Sequence, residues 1–155
     1  DIEGVRIIHV ETASEMHDVL HQEFVQCDVL VMAAAVADAR PEHVQDSKIK
    51  KDSLSSIQLT ENIDILKSLQ DLKVKQVVVA FAAETSHDAT AAQRKMLAKG
   101  ADILYLNDVS GGDIFNSETT HGQIITRDGK VIEVAETTKD TLAHQLLSEA
   151  LHKLG

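Results

Sequence analysis

Short runs of consecutive apolar residues alternate along this chain with stretches whose apolar residues recur every three or four positions, the pattern of strands alternating with helices. Val5 to Val10 predicts a first strand, and Thr12 or Ser14 is placed to cap a helix through Met16, Val19, Leu20 and Phe24. Asp28 to Ala34 is apolar nearly throughout, as in a strand covered on both faces of a parallel sheet. No clean period follows between Ala35 and Ser56, which predicts a long loop. A short strand near Ile57 to Leu59 leads to Asn62, a candidate cap for a helix through Ile65, Leu66 and Leu69.

The second half is more regular. Gln76 to Phe81 predicts a strand, and Thr85 to Asp88 offers caps for an Ala-rich helix reaching Lys99, with Gly100 as its stop. Asp102 to Leu106 is another buried strand. Gly122 to Thr126 and Lys130 to Val134 flank Arg127-Asp128-Gly129, a hairpin with an Asp-Gly turn. A last helix starts near Thr138 and carries Leu142, Leu146, Leu147 and Leu151. The whole predicts one α/β domain over 1–155, a Rossmann-like three-layer sandwich with a mostly parallel sheet and a C-terminal β-hairpin.

Composition narrows the function. A formal charge of −10 over 155 residues argues against a general role on nucleic acid or anionic lipid. No run of about eighteen apolar residues marks a membrane span, and the single cysteine, Cys27, excludes an internal disulfide framework and fits a reducing, cytoplasmic setting. The eight histidines are scattered. His17 and His21 share a helix face without further ligands, so no metal site is expected from them.

Local positive charge stands out on this acidic background. Lys48, Lys50 and Lys51 crowd three ammonium groups into four residues, an arrangement that a phosphate would stabilise, although a solvated surface cluster is the plainer alternative. Lys95 and Lys99 lie four apart and share a helix face. Small residues and polar groups gather where strands end: Ala33 to Arg40, with Asp38 and Arg40 as hydrogen-bonding groups, then Phe81 to Thr85, then Asn107. Open α/β sheets bind ligands at such carboxyl ends. Phe81 is either a stacking surface for a base or part of the core. Neither G-x-G-x-x-G nor a P-loop is present, Ser110 to Asp113 is as consistent with an ordinary loop as with an anion nest, and no nucleophile elbow occurs.

Ala33-Ala34-Ala35-Val36-Ala37-Asp38, Lys48-Ile49-Lys50-Lys51, Phe81-Ala82-Ala83-Glu84-Thr85 and Lys99-Gly100-Ala101-Asp102 with Asn107-Asp108 resemble, in order and spacing, the motifs of phosphopantothenoylcysteine synthetase, the phosphopantothenate–cysteine ligase family. The resemblance covers nearly the whole chain and corresponds to the later part of the synthetase domain. It implies a homodimeric enzyme that joins 4'-phosphopantothenate to cysteine with CTP and magnesium through an acyl-cytidylate. By the same resemblance Lys48 is the catalytic lysine, and Lys95 and Lys99 bind the triphosphate. Asp38 contacts the nucleotide, Met32, Ala33 and Ala34 offer backbone, and Phe81 forms a wall. Ile63, Asp64, Ile65 and Leu66 lie beside the base, and Asn107 touches substrate. The chain departs from the family pattern at Ala39, Ala80 and Ile63, and the family's first strand, with its glycine loop and asparagine, has no counterpart, so these residues alone are expected to form an incomplete active site. Two other readings stay open: another Rossmann-like enzyme using a nucleotide-sugar or nicotinamide, and a nucleotide-sensing module without turnover.

Overall fold

The computed structural model describes residues 3–43, 56–85, 88–110 and 117–155. A five-stranded sheet forms the middle layer. Its strands are β1 (Val29–Met32), β4 (Val77–Glu84), β5 (Ile103–Asp108), β6 (Thr119–Thr126) and β7 (Val131–Thr138), adjacent in that order. β1 pairs parallel with β4 and β4 with β5, whereas β6 is antiparallel to both its neighbours. Four of the five strands therefore run the same way, with β6 as the exception. A second, two-stranded antiparallel sheet joins β2 (Ala39–Pro41) to β3 (Leu59–Glu61).

Alternation along the strands decides what each face buries. Met32, Val78, Ala80, Leu104, Leu106 and Ile125 point to one face. There they meet Phe24 after α1 (Ala13–Glu23), Ile65 and Leu69 of the short α2 (Ile65–Ser68) and its continuation, and Ala92 and Met96 of α3 (Ala89–Ala98). Val77, Val79, Ile103, Tyr105 and Ile124 point to the other face, against Leu142, Leu146 and Ala150 of α4 (Lys139–Leu154). Two cores on opposite sides of one sheet make the expected three layers.

The helix ends follow the local chemistry. Thr12 and Glu15 form a reciprocal capping box at α1, Asp88 accepts from the Ala91 amide at α3, and Thr138 accepts from the Thr141 amide at α4. Gly100 ends the α3 segment at φ +72°, a left-handed conformation that a side chain disfavours.

Three expectations need correction. Val5 to Val10 joins neither sheet; Val5, Ile7, Ile8 and Val10 are exposed, and β1 hydrogen-bonds only to β4 among the described strands. An apolar run becomes a strand only beside a free edge, and this one lies against none. The loop after Ala35 contains β2, and the strand expected at Ile57 to Leu59 is β3, shifted to Leu59–Glu61. Asn62 does not cap α2: Asp64 does, its carboxylate accepting from the Lys67 amide.

Candidate functional site

The parallel strands β1 and β4 end side by side, and there a cavity of about 370 Å³ opens. Met32 and Ala34 come from the tip of β1, Asp38 from the loop beyond it, Ile63, Asp64, Ile65 and Leu66 from the start of α2, Phe81 from β4, and Lys95 and Lys99 from the α3 segment. The structure thus brings together ten of the residues singled out from sequence. Ala33 lines a neighbouring cavity instead. Lys48, and with it Lys50 and Lys51, lies outside the described residues, as do Gly111 to Asp113.

The loop at the mouth is held by its own hydrogen bonds. Asn62 Nδ2 donates to the Ala37 carbonyl at 2.8 Å, and the Asn62 backbone N–H donates to the Asp38 carbonyl at 2.8 Å. Arg40 donates from one guanidinium nitrogen to the Glu61 carbonyl and to Asn62 Oδ1, at 2.8 and 2.9 Å. Arg40, expected from sequence as a ligand-binding group, therefore serves as a clasp between β2 and β3, and the cavity lining does not include it. Asn62 is the residue that sequence reasoning placed wrongly: it presents Asp38 to the cavity by fixing both sides of the turn. Two three-residue strands carry too little periodicity to reveal that arrangement.

Both lysines of the cavity have acidic partners. Lys95 Nζ lies 2.6 Å from Glu84 Oε1, and Lys99 Nζ lies 3.4 Å from Asp64 Oδ2. Each pair spans two elements, so it fixes an otherwise mobile side chain beside the cavity at little net energy, since exposed ion pairs contribute only about 0–1 kcal/mol. Cations held in place this loosely can be transferred to a more highly charged anion. Among the described residues, no group of three or more His, Cys, Asp or Glu side chains is arranged to hold a metal ion.

On the other face of the sheet a second cavity, also about 370 Å³, adjoins the first. The two share Ala34, Ala35, Phe81 and Ala82. The Phe81 ring stands edge-on to Tyr105 with centroids 5.9 Å apart, forming part of the wall of both. Asn107 opens into the second cavity, as do Thr120 and Lys139, which sequence reasoning did not single out. Burial pushes the Tyr105 phenol up from its ordinary value, partly opposed by its hydrogen bond with Thr120. Burial likewise raises the Cys27 thiol, whose Sγ donates to the Phe24 carbonyl, in keeping with a packing role.

A doubly covered, largely parallel sheet with a lysine-bearing crevice at its carboxyl edge defines an α/β protein of the Rossmann-like kind. The chain belongs to the DNA/pantothenate metabolism flavoprotein C-terminal domain family, whose model matches residues 1–154. This bears out the family resemblance drawn from the motifs. It is 34% identical over 144 residues to the coenzyme A biosynthesis bifunctional protein CoaBC of Bacillus subtilis, covering 92% of this chain and 36% of that protein. It superposes with TM-score 0.76 and 31% identity on the crystal structure of the C-terminal domain of a CoaBC protein, covering 95% of this chain and 67% of that one. A DNA/pantothenate metabolism flavoprotein from Streptococcus pneumoniae shares the fold at TM-score 0.74 and 16% identity, covering 98% of this chain and 75% of that one. The chain thus spans about a third of the length of the curated relatives it matches.

Proposed function

We propose that this chain forms the nucleotide-binding part of a ligase of coenzyme A biosynthesis, joining 4'-phosphopantothenate to cysteine at the expense of CTP. The observation that carries the reading is the cavity where Asp38, Lys95 and Lys99 converge beside the start of α2. In this assignment the triphosphate lies along Lys95 and Lys99, the base beside Ile63 to Leu66, and Asp38 contacts the nucleotide. Met32 and Ala34 supply backbone contacts, with Phe81 as a wall. Magnesium would enter bound to the nucleotide's phosphates, and the carboxylates that line the cavity beside it are those of Asp38, Asp64 and Glu84.

The chemistry needs no protein nucleophile. A carboxylate oxygen of the acid attacks the α-phosphorus and forms the acyl-phosphate bond as the bond to the β-phosphate breaks, so pyrophosphate leaves. The cysteine amine then attacks the acyl carbon, CMP departs with the bonding pair, and the amine sheds its proton as the amide forms. The protein's task is to position the partners and stabilise charge developing on the transferring phosphate, the role assigned to Lys48.

The test supplies the full-length protein with CTP, magnesium, 4'-phosphopantothenate and cysteine. Pyrophosphate and an amide product released in equal amounts support the reading; their absence rejects it. The Lys48→Ala variant is expected to keep CTP affinity within about threefold while losing at least about a hundredfold in turnover. Parallel loss of binding would instead favour a nucleotide sensor.

A further inference from the structure

Lys99 sits where α3 stops, and the segment that follows α2 grips the chain on both sides of it. Lys99 is the C-cap of α3, at φ −94° and ψ 2°, immediately ahead of the left-handed Gly100. Carbonyls at a helix end lack intrahelical donors, so the last turn frays unless other groups supply them. Here two side chains do so. Gln70 Nε2 donates to the Ala98 carbonyl at 2.7 Å, and Lys73 Nζ donates to the Gly100 carbonyl at 2.9 Å. Gln70 lies so close over Gly100 that a Cβ there would stand 2.5 Å from its Cγ. Lys73 is anchored in turn by Asp102, whose carboxylate also accepts the Val78 amide of β4 and pairs with Arg127.

The stretch that ends in Gln70 and Lys73 begins with Ile63 to Leu66, the residues beside which the ligase reading places the base. Asp64 belongs to both ends of the arrangement: Oδ1 accepts the Lys67 amide as the α2 cap, and Oδ2 lies 3.4 Å from Lys99 Nζ. That ion pair is exposed and gives way to a phosphate. The bonds from Gln70 and Lys73 go to backbone carbonyls, leave the Lys99 ammonium free, and persist when Asp64 lets it go.

We infer, resting on the ligase reading, that Gln70 and Lys73 are positioning residues that hold the Lys99 backbone at a set distance from the start of α2, so that base and triphosphate of one nucleotide engage together. Two contacts on one tethered ligand reinforce each other only when the protein holds them at the ligand's own spacing. Inorganic tripolyphosphate has no base and can follow the lysines wherever they settle. The bracket therefore favours the nucleotide over a bare polyphosphate, and the pyrophosphate released by the reaction gains nothing from it.

The experiment is titration calorimetry of magnesium–CTP and of magnesium–tripolyphosphate into the full-length protein and its variants. Gln70→Met keeps the side chain's length beside Gly100 and removes the donor. It is expected to weaken CTP about three- to tenfold and to leave tripolyphosphate within about twofold. Lys73→Met should shift the two affinities in the same way. Lys99→Ala removes the ammonium itself and should weaken both ligands. In that background Gln70→Met should cost CTP less than about twofold more, because it acts through Lys99. The inference is overturned if Gln70→Met leaves CTP unchanged, weakens both ligands in equal proportion, or costs as much with Lys99 absent as present. Failure of the unsubstituted protein to bind CTP while it binds tripolyphosphate would instead overturn the ligase reading, and the inference with it.

Discussion

At the scale of single residues, the lysines that face the first cavity are already paired. Glu84 and Asp64 hold Lys95 and Lys99 with exposed ion pairs that contribute little, whereas hydrogen bonds to a phosphate contribute roughly 1.5–3 kcal/mol each. On the proposed ligase reading the triphosphate wins the ammonium groups, and each carboxylate acts as a temporary holder. Glu84→Gln is accordingly expected to change CTP affinity by less than about threefold, read by titration calorimetry. Gly122 faces a harder constraint, because a Cβ there would stand 2.1 Å from the Leu106 carbonyl oxygen on the neighbouring strand. Gly122→Ala should push β5 and β6 apart and lower stability by about 3 kcal/mol or more, measurable by urea denaturation. Tyr105 gives a pH dependence. Its native-state pKa lies above the ordinary value of 10.0, so the native state holds the phenolic proton more tightly than the unfolded chain does. That contribution is complete below pH 10 and is lost as pH rises through the native value. Unfolding midpoints should fall above about pH 10, and Tyr105→Phe, which lacks the titrating proton, should flatten the fall.

At the scale of elements, the hairpin and the long helices were legible because each carries its own punctuation. Asp128-Gly129 marks the β6–β7 turn, Asp88 and Gly100 bracket the α3 segment, and Thr138 starts α4. The β2–β3 ribbon was not, since strands of three residues show no period and the side-chain bonds that brace their backbone pairing come from Arg40 and Asn62. Val5 to Val10 misled in the opposite way: its apolar content is strand-like, but a ladder needs a neighbour, which local sequence does not encode. The ribbon yields a test. Asn62→Ala removes the side-chain bonds to Ala37 and from Arg40, each of about 1 kcal/mol, and should speed hydrogen exchange of the 37–40 backbone while β4 and β5 keep their protection. Equal loosening of β4 would show that the ribbon does not move independently.

At the scale of the whole molecule, the sheet acts as a partition with a cavity on each side of its carboxyl edge. The first was legible in the sequence because strand tips rich in alanine, an aspartate and a lysine pair at helical spacing each leave a local trace. The second was not, beyond Asn107, Phe81 and the strand-tip alanines, because Tyr105, Thr120, Lys139 and Leu142 come from three separate elements and are ordinary residues for their positions. Only the folding of α4 back over the sheet assembles them. The central claim is that ammonium groups at the end of α3 bind a nucleoside triphosphate against the tips of β1 and β4. Titration calorimetry of magnesium–CTP into the full-length protein and its Lys95→Ala and Lys99→Ala variants tests this most directly. The account predicts one site per chain, weakened about tenfold by each substitution, and binding of equal strength in all three proteins would contradict it.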